Sequence, residues 1–500
     1  MKMIKKSLCL CVSVAGLFLA FAAYAGQPVE KNYADHCASC HGAERLGGAG
    51  PALLPENLER LRRPEAFKTI AEGRIASQMA GFADKLAKDE IQALVGLIYQ
   101  PLAKAPVWGA DEIITSHLQH VTEALPDKPV FDADPLNLFV VVEVGDHHAT
   151  ILDGDKFEPI HRFQTRFALH GGPKFSPDGR FVYFASRDGW VSKFDIYNLK
   201  TVAEVRAGIN TRNIAVSGDG KTVLVGNYLP HSLVLLNAED LTLIKVIPTA
   251  DRSGKTSRVS AVYQAEPRGS FVAALKDVKE VWEIPYGDKD FPVRRIAVDN
   301  YLDDFFFDQT YRHLIGASRD GQKGQVIDLD SGKKVAEIDL PGMPHLGSGI
   351  TWEYQGRPVM ATPNLKEALV SVIDMTTWQT VKQIKTIGPG FFMRSHENTP
   401  YAWTDGFSSG NPASRDAMTL IDKRTLEVVK ILRPIPGKTA AHVEFTRDGK
   451  YALVSVWEMD GALVIYDAAT LREVKRLPMK KPSGKYNVYN KITRSAGTSH

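Results

Sequence analysis

The chain has 500 residues, with 61 Lys and Arg against 58 Asp and Glu, and 44% of its residues are hydrophobic. This is too apolar for a disordered chain, and too evenly charged for a nucleic-acid or anionic-membrane binder, which carries a marked basic excess. The ligand therefore belongs in a pocket, and the length predicts two or more domains because one core rarely organises so many residues.

Lys2, Lys5 and Lys6 precede an apolar run from Leu8 to about Ala22, followed by Ala23-Tyr24-Ala25. This is the layout of a secretory signal over residues 1–25, cleaved on export, and it predicts a periplasmic protein. The apolar run is short for a membrane span, so no membrane insertion of the mature chain is expected. Cleavage removes three lysines and no acids, leaving 58 basic against 58 acidic residues. It also removes Cys9 and Cys11, so Cys37 and Cys40 are the only cysteines of the mature chain.

Cys37-Ala38-Ser39-Cys40-His41 has the spacing that anchors a haem through two thioethers while the histidine ligates its iron. Helix-like periodicity follows at Leu58–Ile75 and Lys88–Tyr99, after a Gly/Pro stretch at residues 47–51. Between the helices, Met79 in Gln78-Met79-Ala80-Gly81-Phe82 is a candidate sixth ligand, with His36 or a loop residue as competitors. The order of motif, Gly-Pro loop and Met-x-x-Phe resembles a class I cytochrome c, a small all-α domain over residues 26–105. Residues 106–130, rich in proline, read as a linker with a short helix around Asp111–Ala124.

From residue 131 to the end the periodicity changes to short alternating strands. Ser176-Pro-Asp-Gly, Ser217-Gly-Asp-Gly and Thr446-Arg-Asp-Gly each open an apolar run, a turn, a second run ending in Asp or Asn, and a third run rich in Val and Ile. Units begin near Leu138, Ser176, Ser217, Gly269, Arg312, Gly356, Pro400 and Arg447. That period predicts an all-β, eight-bladed propeller whose central channel suits a large planar ligand. His170, His345, His396 and His442 are read as occupying corresponding junctions between blades and converging on the axis. Imidazoles there suit a second metal centre with acid–base chemistry beside it.

The two-domain order, together with Phe167-Ala-Leu-His170, Gly179-Arg-Phe-Val, Ser186-Arg-Asp-Gly189 and Gly484-Lys-Tyr-Asn-Val-Tyr-Asn490, resembles the haem c/haem d1 nitrite reductases and their dihydro-haem d1 dehydrogenase paralogues over almost the whole mature chain. The resemblance implies one covalent haem c on Cys37 and Cys40. It further implies a non-covalent haem d1 or dihydro-haem d1 with His170 as proximal iron ligand, and Arg212 and Arg258 facing that macrocycle. His345 and His396 match the reductases' distal histidines. The chain departs from the reductases in two places: Leu-Gly-Ser-Gly follows His345 where they have Pro-Gly-Arg-Gly, and His442-Val-Glu-Phe stands where they carry no histidine. Those departures point to the dehydrogenase branch, with oxidation of a propionate to an acrylate. On that reading His442 is the base, His345 a distal ligand or proton shuttle, and His396 a weaker candidate. Nitrite reduction to nitric oxide and non-enzymatic haem d1 transport are the alternatives. The implied partners are the tetrapyrrole substrate, a periplasmic electron acceptor, nitrite reductase and other haem d1 assembly proteins.

Overall fold

A computed structural model describes residues 28–493 except 49, 59–60, 74–78, 105, 168, 170–171 and 318–322. The proposed signal segment lies outside the described residues.

The N-terminal unit is helical. Val29–His36 packs on Lys88–Ile98, and Arg63–Glu72 packs on the same helix. Ile91, Leu94, Val95 and Ile98 recur at helical spacing on Lys88–Ile98 and meet Tyr33, Leu58, Ala66 and Ile70 in one core. Glu90 caps that helix through the Ala87 N–H at 2.9 Å and also accepts from Asn32 at 3.1 Å, tying the first helix to the last. The linker helix is shorter than its sequence period implies, covering only Ala110–Thr115. Leu118–Gln119 instead pairs with Ala203 and Glu204 as a fifth, outermost strand of the second propeller blade. Here an open sheet edge outcompetes helical propensity.

Eight antiparallel sheets follow; apart from the edge strand Leu118–Gln119 on the second, each is built from strands consecutive in sequence except the first. In that blade the innermost strand is Pro482–Asn487 from the far end of the chain, paired with Leu138–Glu143. First strands of neighbouring blades touch one another, so they line the axis. The second strands, such as Leu138–Glu143 and Ser270–Leu275, are buried throughout, whereas outer strands such as Pro159–Gln164 alternate with solvent.

Two local devices repeat the blade. In the turn between first and second strands of blades two, three and eight, Ser176, Ser217 and Thr446 donate their hydroxyls to Asp178, Asp219 and Asp448 at 2.5, 2.5 and 2.7 Å. Gly179, Gly220 and Gly449 complete these turns with φ of 76°, 71° and 72°. In the hairpin between third and fourth strands, the Asp or Asn closing the strand accepts backbone N–H groups two or three residues on. Asp374, for example, accepts from Thr376 at 2.7 Å and Thr377 at 3.0 Å. The fifth residue of that hairpin is left-handed at Phe157, Leu199, Leu241, Gly332, Trp378, Leu426 and Leu471. A Cβ on Gly449 would run into the His396 ring. Gly449→Ala is therefore expected to cost about 2 kcal/mol, combining a disfavoured φ with that clash. A melting curve on the purified variant reads this directly, and an unchanged midpoint contradicts it.

The helical unit docks on the face where the innermost strands begin. Ala52 and Leu54 pack against Ile209 with Leu46, Leu102, Trp108 and Leu229 around them. Arg206 locks the contact: its guanidinium donates to Leu46 O at 2.9 Å and lies 4.5 Å over the Trp108 ring, whose Nε1 returns a bond to Arg206 O at 2.8 Å.

Candidate functional site

The first site lies in the helical unit. His41 follows Cys40 on a single helical turn and is buried, while Cys37 and Cys40 are free thiols, Cys40 exposed. His41 Nδ1 is 2.8 Å from Pro51 O, which fixes the ring and leaves Nε2 as the free nitrogen. Burial holds the His41 pKa below its ordinary value, so the ring stays neutral and able to ligate. Gly50 is required beside it, because a Cβ there would lie 2.6 Å from His41 Cε1. Met79 packs on the same core from the opposite segment. Two free thiols, a neutral oriented imidazole and a thioether fit a covalent haem. Tyr33 packs in this core too, with its hydroxyl donated to Gly42 O at 2.8 Å.

The second site is on the propeller axis. His170 falls outside the described residues, but its flanks are anchored. Arg166 makes a bidentate pair with Glu204 at 2.9 and 2.8 Å and covers Trp190 at 3.8 Å, and Leu169 bridges to Ser186. His345 sits just before the innermost strand of blade six, with Nδ1 2.6 Å from Phe391 O and Nε2 3.9 Å from Asp304. Asp304 is itself held by the Tyr263 hydroxyl at 2.6 Å and Gly347 N–H at 2.7 Å. His442 is the third residue of the innermost strand of blade eight, at a register shift, with φ of 50°. Phe391 and Phe392 join the two histidines: ring centroids are 4.1 Å from His345 to Phe391 and 4.8 Å from Phe392 to His442. Tyr486 closes the far side of His442 at 5.1 Å.

His442 is 1% exposed and, among the described residues, both ring nitrogens lack a hydrogen-bond partner. Burial, then the charges of Lys485, Arg394 and Lys491, hold its pKa well below 6.5. Its backbone is fixed by Asp405, which accepts the N–H groups of His442 at 3.2 Å and Phe391 at 2.7 Å. The Ser348 hydroxyl is a second buried polar group without a partner. A bare imidazole and hydroxyl on the axis fit a polar-edged ligand seated there.

Two of the expected residues have other partners. His396 does not join this group: it follows the two-residue innermost strand of blade seven, at the opposite end of the channel from His345. Its Nε2 is 3.1 Å from Arg447 O and its Nδ1 accepts from Asn398 N–H at 3.1 Å, so both nitrogens serve the turn. Arg258 spends its guanidinium on a bidentate pair with Asp277 at 2.8 and 2.5 Å. Arg212 remains on the axis, on the innermost strand of blade three, donating Nε to Ser260 O at 2.9 Å. The sequence reading missed Asp304 and Asp405, which position His345 and His442. Their signal is a carboxylate at the edge of an otherwise apolar strand, as in Ala-Trp-Thr-Asp405.

Residues 133–491 match the family described as "Cytochrome D1 heme domain", and residues 25–98 match "Cytochrome C oxidase, cbb3-type, subunit III". A Pseudomonas aeruginosa protein named "Dihydro-heme d1 dehydrogenase" is 62% identical over 97% of this chain and 98% of its own. The solved structure titled "Dihydro-heme d1 dehydrogenase NirN in complex with DHE" superposes with a TM-score of 0.85, covering 93% of this chain and 99% of that one. A Stutzerimonas stutzeri protein named "Nitrite reductase" is 25% identical over 96% of each chain.

Proposed function

This chain belongs to the cytochrome D1 haem-domain family, and from that premise we propose that it is a dihydro-haem d1 dehydrogenase, converting a propionate of its tetrapyrrole substrate to an acrylate. The side chain changes from CH2–CH2–COO⁻ to CH=CH–COO⁻, releasing two protons and two electrons. His442 is the base: neutral, dry and without competing hydrogen bonds, it is free to take a proton from the saturated side chain. His170 and His345 would serve the substrate iron as ligand and distal group, and Arg212 would supply a forked donor for a substrate carboxylate. When bound at Cys37 and Cys40, the covalent haem supplies a one-electron carrier, with His41 and Met79 as its ligands. Docking of Leu46, Ala52 and Leu54 on the propeller gives electrons an outlet to a one-electron acceptor.

One observation carries the choice of dehydrogenation over nitrite reduction: the buried, unbonded imidazole of His442, where the reductases carry no histidine. No helix among the described residues is long and apolar enough to cross a membrane. The secretory pattern read in residues 1–25 supports action in the periplasm, where nitrite reductase would receive the product. Incubating the holo-protein with dihydro-haem d1 and a chemical oxidant is expected to lower the tetrapyrrole mass by two hydrogens. An unchanged mass with tight binding would mark a carrier, and nitric oxide formation from nitrite would mark a reductase.

A further inference from the structure

A base buried this deeply must hand its proton on before it can act again. Beyond His442, toward the face opposite the helical unit, the axis holds buried charges instead of apolar side chains. Glu444 lies two residues on along the same strand. Its Oε1 accepts from its neighbour's backbone, Phe445 N–H, at 2.9 Å and from Asn490 Nδ2 at 3.3 Å, while Oε2 has no hydrogen-bond partner. The nearest recorded cation, Arg394 Nε on blade seven, stands 4.0 Å away. Arg394 Nε and Nη2, and Lys491 Nζ on the terminal helix, are equally without partners among the described residues.

Elsewhere this protein closes its partly buried ion pairs tightly, as Arg258 does on Asp277. The loose arrangement around Glu444 contributes little to stability, since buried charges need close pairing to offset their desolvation. A carboxylate with one free oxygen, two residues from the base along the same strand and within electrostatic reach of the Lys491 amine, is instead a place for a proton to stop.

We propose that Glu444 takes the proton from His442 and passes it through Lys491 to solvent at the face of the propeller opposite the cytochrome domain. The inference rests on the dehydrogenase reading above. The His442 imidazolium protonates the Glu444 carboxylate, the carboxylic acid protonates the Lys491 amine, and the ammonium releases the proton to water. The two protons leave by this route in turn and both electrons go to the external one-electron acceptor, so each relay group returns to its starting state.

Three observations support the route. Burial, with the charges of Lys174 and Arg394, holds Lys491 well below the ordinary lysine pKa, which favours its amine form. Lys174, from the innermost strand of blade two, is itself lowered to about 7 by burial and Arg394. Lys485 and Tyr486 face the relay from the closing strand; the Lys485 ammonium donates to His442 O and to Ser455 Oγ, the latter at 2.9 Å, and so steadies the backbone without blocking the His442 ring. The terminal helix reaches the surface two residues later at the exposed Thr493, and its Tyr489 lines a surface cleft of about 230 Å³ with Asp134, Asp155, Arg447 and Asp448.

The test uses the full chain carrying covalent haem, with dihydro-haem d1 as substrate and ferricyanide as oxidant. Glu444→Gln keeps an oxygen for Phe445 N–H and Asn490 but cannot carry the proton. Turnover is expected to fall on the order of 10²-fold, the lower end of what a positioned proton-transfer group supplies. The solvent deuterium isotope effect should rise, with tetrapyrrole affinity and melting temperature unchanged. Lys491→Met should slow turnover likewise, and the double variant no further. Wild-type turnover and isotope effect in Glu444→Gln would overturn the relay, as would a loss of affinity or melting temperature that accounts for the slower rate. If wild-type protein leaves the substrate mass unchanged, the dehydrogenase reading falls first and takes the relay with it.

Discussion

His442→Ala yields a protein that still takes up the tetrapyrrole and scarcely oxidises it, with turnover lower by about 10²- to 10⁴-fold, the span a positioned acid–base side chain contributes. Binding survives because the macrocycle is held by other residues, and His442 makes no hydrogen bond that its removal would orphan. The pH dependence has a definite sign. The folded imidazole resists protonation until well below 6.5, so the free enzyme keeps its base into mildly acidic solution. An unfolded chain takes up that proton near 6.5, so the same group favours unfolding progressively as pH falls from 6.5 toward the folded value, and contributes no penalty above it. Product mass and the pH profile of kcat/KM check both statements. Acrylate formation by His442→Ala at the wild-type rate would remove it as the base.

Ending the chain at Met479 should abolish the closed propeller altogether. Leu138–Glu143 would lose its partner across the register from Phe139↔Asn487 to Glu143↔Pro482. It is buried along its whole length, so its backbone groups would be stranded away from both protein and water. At about 1–3 kcal/mol for each buried group left unpaired, several such losses reach the 5–15 kcal/mol that stabilises a typical domain. The terminal helix goes too, and with it Val488, fully buried in the core shared by blades one and two. The expected outcome is an aggregated or molten chain that binds no tetrapyrrole, read by near-ultraviolet circular dichroism and pigment titration. A soluble truncated protein with native signal would show the ring to be closed by other contacts.

Repetition made the fold legible. The Ser/Thr-x-Asp-Gly turns and the Asp or Asn ending each third strand are local hydrogen-bonding devices, so their spacing along the chain carries the blade count. The eight unit starts read from the sequence fall at or just before the second strand of each blade, because the turn leading into that strand has the strongest signature. The haem motif was legible because its chemistry is contiguous, and Pro51 and Gly50, which orient His41, lie only ten and nine residues on. His396 misled because periodicity identifies the strand and leaves open which of its ends a residue occupies. The innermost strand of blade seven is only two residues long, which puts His396 beyond it. Arg258 pairs with a carboxylate 19 residues away, in the bend between the second and third strands of blade four, and no local pattern announces that pair. The linker strand at Leu118–Gln119 was hidden for the same reason: its reason for being extended is the edge of blade two.

Closure by the last strand also sets a timetable. Synthesis proceeds from the N-terminus, so the Cys37–His41 unit is complete while most of the blades are still unmade, and its pigment can be attached early. The axial seat between His345 and His442 comes into being only when residues 482–487 arrive to dock beside residues 138–143. A chain halted partway would therefore be coloured by the first pigment and blind to the second.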